Sequence, residues 1–184
     1  AVFYRTNAQS RSLEDMLLRA GVPYRIVGGT RFFDRAEIRD VTAYLKLAVN
    51  PSDDVSAQRI VNVPRRGIGK TTVERINTTA QLRGLSFLDA VREEALDPAT
   101  RPATRKALGS FAELVDEIAA YKGDLADVVR MVVEKSGLQA SLEAQRTDES
   151  ATRVENIKEF FSVVSEYVET HAFVPDQDTR AVDM

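Results

Sequence analysis

Cysteine is missing from all 184 residues, which excludes disulfides and thiolate metal sites and points to a reducing compartment. Histidine occurs once, at His171, too little for a histidine metal site or a histidine-dependent catalytic triad. No apolar run approaches the ~20 residues that cross a bilayer, so no membrane partner is expected. No charged leader with an apolar core precedes a small-residue cleavage site. Internal repeats and low-complexity tracts are also missing. The chain opens without methionine, inside the apolar, β-prone Ala1-Val2-Phe3-Tyr4, and is expected to be an excised segment of a longer protein.

What is present is the composition of a globular protein, 43% hydrophobic and 29% charged. The net charge of −3 hides an uneven distribution: residues 1–83 carry +6 and residues 84–184 carry −9. The basic part peaks at Arg59–Arg75, where Arg59, Arg65, Arg66, Lys70 and Arg75 have only Glu74 among them. Such a layout suits a polyanion on one side, or else a few solvated helix faces.

Phe3 and its neighbours read as a short strand, followed by a helix over about 12–20 that Gly21 and Pro23 end. Tyr24–Val27 reads as a second strand, broken by Gly28-Gly29. After Asp34 the pattern is helical throughout. Capping boxes are expected at Asp34/Glu37, Thr71/Glu74 and Ser86/Asp89, and caps at Asp53 or Asp54 and at Asp124 with Asp127. Ile38, Val41, Leu45 and Ala48 give one apolar stripe, Leu108, Phe111, Val115 and Ile118 a second, and Val154, Ile157, Phe161, Val164 and Val168 a third. The expected fold is mainly α. An incomplete α/β motor fragment with its junction (1–50) leads into an all-α subdomain (51–170), then a linker (171–184).

The segment RIVNVPRRGIGKTTVERI (Arg59–Ile76) is the most informative. Gly69-Lys70-Thr71 matches the tail of a phosphate-binding P-loop, but the glycine required five residues earlier is Pro64, which has no amide hydrogen. The stretch before it also reads as helix where a P-loop needs a strand. What remains is helix, Gly-Ile-Gly turn, helix. The two glycines permit close backbone approach, and Ile68 is expected to plug the turn into its flanking helices. Amides at the following helix start, with Arg65, Arg66 and Lys70, form an anion site suited to a DNA phosphate. The competing reading is an ordinary interhelical turn with solvated arginines.

Four stretches together resemble superfamily 1 DNA helicases of the UvrD/PcrA/Rep type. VFYRTNAQSR (Val2–Arg11) is similar to motif IV, and PYRIVGGTRFFDRAEIRDVTAYLKLAVNP (Pro23–Pro51) to the run from subdomain 2A into 2B. RIVNVPRRGIGKTTVERI is similar to the Gly-Ile-Gly element of 2B. RVENIKEFF (Arg153–Phe161) more weakly resembles the helix near the return to 2A. The matches run almost continuously through the first 80 residues, whereas 84–145 resembles only generic helices.

The resemblance implies that Tyr4 stacks on the adenine of ATP and that Arg5 reaches its γ-phosphate, the catalytic contact in the full-length parent. It implies that Gly67, Ile68 and Gly69, with Arg65, Arg66, Lys70 and Thr71, touch duplex DNA ahead of the fork. Pro23, Gly28, Gly29, Phe32, Phe33, Arg35 and Glu37 fall to the 2A–2B junction. The parent is expected to be an ATP- and Mg²⁺-dependent 3′→5′ helicase of DNA repair and replication, cytoplasmic and nucleoid-associated. Its partners are expected to be duplex or junction DNA, the remaining motor domains and repair-protein activators. With no GxxxxGK[ST] loop and no acidic Walker B segment, this chain alone is expected to hydrolyse no ATP. The alternative is a non-enzymatic helical module that grips another protein.

Overall fold

The computed structural model describes residues 2, 10–24 and 31–171. Nine α-helices form among the described residues: α1 (Ser10–Arg19), α2 (Ala36–Val49), α3 (Asp54–Ile60), α4 (Lys70–Arg83), α5 (Phe87–Leu96), α6 (Pro102–Ala120), α7 (Leu125–Ser136), α8 (Leu138–Glu143) and α9 (Asp148–His171). A 3₁₀ turn over Phe32–Asp34 leads into α2. No strand occurs among these residues, which agrees with a mainly-α chain. Phe3 and nearly all of the second expected strand lie outside the described residues, as does the linker after His171.

Local chemistry accounts for most helix ends. Gly21 takes φ 65° after α1, and the amides of Gly21 and Val22 bond back to Leu18 and Leu17, closing the helix in a Schellman motif. Asp53 caps α3 by accepting the Ser56 amide at 3.0 Å. Ser86 caps α5 through the Asp89 amide, and Asp124 caps α7 through the Asp127 amide. Gly84 (φ 65°) and Gly137 (φ 76°) supply the left-handed residues that end α4 and α7.

Two expected capping boxes do not form. The N-cap of α2 is Arg35, with no side-chain cap, and Glu37 instead accepts the Asn156 side-chain amide at 2.6 Å. A distant, buried donor outcompetes the local one. Helix α4 begins at Lys70 with Gly69 as its N-cap, so Thr71 already lies inside the first turn. Glu74 faces Lys70 at 3.7 Å.

The core is one continuous apolar cluster. Helix α2 lies at its centre, packed against α3, α6, α7 and α9. Its buried face is Ile38, Val41, Tyr44 and Leu47, rotated from the expected stripe so that Leu45 and Ala48 are only partly covered. Leu108, Phe111, Val115 and Ile118 of α6 are buried as their spacing predicts. On α9, Val154, Ile157, Phe160 and Val164 face inward, while Phe161 and Val168 pack at the margin.

A polar clasp crosses this core near α1. The guanidinium of Arg35 donates to Asn156 Oδ1 and to Ser10 Oγ, each at 2.8 Å, and its Cζ lies 5.2 Å from the Phe32 ring centroid. Arg35, Glu37, Asn156 and Ser10 are all buried. Of the residues assigned to a subdomain junction, Arg35 and Glu37 are therefore drawn to α9, Phe32 is buried beneath the Arg35 guanidinium, Phe33 is exposed, and Gly28 and Gly29 lie outside the described residues.

Candidate nucleic-acid interface

Helix α3 ends at Ile60, and the chain then turns through residues 61–69 before α4 starts. Helix α3 and this turn, rather than a strand, thus precede Lys70, and Val63-Pro64 is a cis peptide. The strand that a nucleotide-binding P-loop follows is not there, and Pro64 offers no amide hydrogen where the loop's first glycine would stand.

The turn is built around three fixed points. Ile68 is 1% exposed and belongs to the core, so the plug expected between the glycines is in place. Asn62 Oδ1 accepts the Arg66 amide at 2.7 Å and the Ile68 amide at 3.3 Å, bracing the turn from inside. Gly67 takes φ 77°, a conformation that side-chain-bearing residues rarely adopt. No atom lies within 4 Å of where a Cβ would sit on Gly67 or Gly69, so both present open backbone.

The five cations of the basic run divide sharply. Arg59 Nε lies 2.8 Å from Asp40 Oδ1, an ion contact without hydrogen-bond alignment, and its NH2 donates to the Ala36 carbonyl at 3.2 Å. Arg75 pairs with the buried Glu94 and donates to Thr100 Oγ1 at 3.1 Å. Arg66 turns inward, where NH1 donates to the carbonyls of Val63 (2.8 Å), Ile60 (3.1 Å) and Pro64 (3.3 Å). Its NH2 donates to the Tyr44 hydroxyl and reaches the Ser136 carbonyl at 3.5 Å. Arg65 and Lys70 remain on the surface, with the Lys70 side chain 91% exposed. Glu74 was thus not the sole counter-charge to the run, because Asp40 and Glu94 arrive from other helices.

Burial moves two of the surrounding groups. It raises the Asp40 carboxyl, against the opposing pull of Arg59. It also raises the Tyr44 phenol, against the pull of Arg66. Asp53 moves the other way, lowered by its bonds from the Ser56 hydroxyl and amide.

Beyond these side chains, the amides of Gly69, Lys70 and Thr71 meet no acceptor among the described residues. They open at the positive end of the 14-residue α4. Arg65, Lys70, Thr71 and the two glycines are exposed, whereas Ile68 is buried and Arg66 half-buried. Sequence reasoning named the turn but missed Asn62, Tyr44 and Ser136, which hold it. Of these only Asn62, in an Asn-x-Pro context, carried a local signal. Tyr4 and Arg5 lie outside the described residues.

A sequence profile of the UvrD-like helicase C-terminal domain matches residues 1–177. The chain belongs to that family. This UvrD-like domain is 42% identical over 169 residues to the ATP-dependent DNA helicase PcrA of Bacillus subtilis, covering 91% of the chain and 23% of that protein. It is 43% identical over 170 residues to the ATP-dependent DNA helicase UvrD1 of Mycobacterium tuberculosis, covering 91% and 22%. It is 40% identical over 171 residues to PcrA of Staphylococcus aureus, covering 92% and 23%. The UvrD-like domain thus spans about a quarter of the length of the curated relatives it matches. The likeness extends through 84–145, where the resemblance read from motifs was thin.

Proposed function

We propose that the chain is the duplex-gripping part of an ATP-dependent 3′→5′ DNA helicase of repair and replication. The observation that carries this reading is the turn at 65–71: two exposed cations, of which only Lys70 meets a carboxylate (Glu74, itself exposed), open glycine backbone and a helix start with free amides, braced on the core by Ile68 and Asn62. That arrangement binds phosphate without reading bases. The contact set is Arg65, Lys70, Thr71 and the backbone of Gly67 and Gly69. Ile68 and Arg66 shape the turn from within. The duplex-binding unit is taken as the all-α part at 51–170, and α2 packs against its helices α3, α6, α7 and α9. Tyr4 and Arg5 would meet a nucleotide held by the rest of the parent, and the chain alone would hydrolyse no ATP.

The test is fluorescence anisotropy of a labelled duplex titrated with wild-type chain and with Arg65→Glu/Lys70→Glu. Both side chains are exposed, so the fold should tolerate the change. The reading expects salt-sensitive, sequence-independent binding that the double reversal abolishes, because neutralised phosphates dominate such affinity. Binding unaltered by the reversal would remove the turn from the interface.

A further inference from the structure

The inward course of Arg66 is the feature that a DNA-contact reading of the basic run does not use. Its guanidinium donates to three carbonyls of the segment before the turn, to Tyr44 of α2 and to Ser136 at the end of α7. It also lies over two rings, 5.6 Å from the Phe111 centroid and 5.9 Å from that of Tyr44. Tyr44 is fully buried, and its hydroxyl donates onward to the Val63 carbonyl at 2.7 Å. The turn, α2, α6 and α7 therefore converge on one planar cation.

We infer that Arg66 is a positioning residue: it locks the Gly-Ile-Gly turn to the helical core so that Arg65, Lys70 and the free amides present one fixed anion-binding geometry. This rests on the duplex-binding function proposed above. The chemistry suits a guanidinium and no other side chain. Carbonyl oxygens converge on it from two sides, and a rigid fork with five donors reaches both while its faces stack on aromatic rings. A lysine ammonium keeps the charge but is a point donor on a flexible stem and cannot bridge the two sides. The inference also gives work to the α7–α8 elbow, within the region whose motifs resembled only generic helices. The Ser136 carbonyl accepts from Arg66, and the Pro64 ring packs beside Gly137. DNA affinity thereby depends on residues that touch no DNA.

The experiment uses the 184-residue chain with Arg66→Lys, Arg66→Gln and Tyr44→Phe, read by duplex anisotropy across a salt series and by amide hydrogen exchange. A positioning role predicts that Arg66→Lys loses as much affinity as Arg66→Gln, about tenfold for several charge-assisted bonds. Tyr44→Phe, which alters no surface, weakens binding in the same direction. Exchange at the Arg66 and Ile68 amides, which Asn62 holds, rises in all three variants. A direct phosphate contact predicts something else. Arg66→Lys would bind like wild type, and Arg66→Gln would lower the salt slope by about 0.9; that result overturns the inference. If wild type binds no duplex, the proposed function falls and exchange alone decides the positioning. Turn amides as protected in Tyr44→Phe as in wild type would overturn it too. Tyr44→Phe removes one oxygen and keeps the ring, so the test stands even if Arg66→Lys fails to fold.

Discussion

Arg146 takes φ 51° in the turn between α8 and α9 and is the one non-glycine residue with positive φ among those described. A side chain in this region costs roughly 1–2 kcal/mol, partly offset by the extra entropy a glycine loses on folding. Arg146→Gly is therefore expected to stabilise the chain by about 0.5 kcal/mol in urea unfolding. Asp40 offers a pH test. Burial raises its folded-state pKa above the unfolded value, so the folded state holds the proton more tightly. Its contribution is full below the ordinary carboxylate range and is lost as pH rises through the raised value. As pH rises from the ordinary carboxylate range, wild type should lose ground to Asp40→Asn. The opposite slope would show that Arg59 outweighs burial. At this scale the sequence was only half legible. Arg59, Arg66 and Arg75 were visible as cations, but Asp40, Tyr44 with Ser136, and Glu94 meet them only after folding.

Helix boundaries were read more successfully, because a cap is a short-range event. Asp53, Ser86 and Asp124 cap the helices expected of them, and Gly21 ends α1. The failures at Asp34/Glu37 and Thr71/Glu74 have the same sequence pattern but lose it to competitors, a buried Asn156 in one case and an earlier helix start in the other. Six-residue α8 was missed because it is too short for a periodicity to show. A paired prediction follows from this contrast. Asp124→Ala should cost about 1 kcal/mol by loss of a working cap. Thr71→Ala, exposed in the first turn, should stay within about 0.5 kcal/mol. Urea midpoints of the two variants would check both, and equal losses would contradict the assigned N-caps.

For the whole molecule, the uneven charge between residues 1–83 and 84–184 suggested a polyanion-facing half, and of the basic run folding leaves Arg65 and Lys70 as the cations free of buried partners. The family was legible in the quoted motif stretches, while buried positions within 84–145 such as Leu108, Phe111 and Val115 ask only for apolar volume and form no motif. Two side-chain phosphate contacts predict a modest salt dependence, with each of Arg65→Gln and Lys70→Gln lowering the logarithmic slope by about 0.9. A slope unchanged by either would place the contacts elsewhere. The Arg35–Asn156 bond joins residues 121 apart in sequence. Topologically it shuts the helical unit like a purse: where the chain leaves for the bundle and where it comes back are neighbours. Such a unit can be cut out between those two points and its ends rejoined by a handful of small residues.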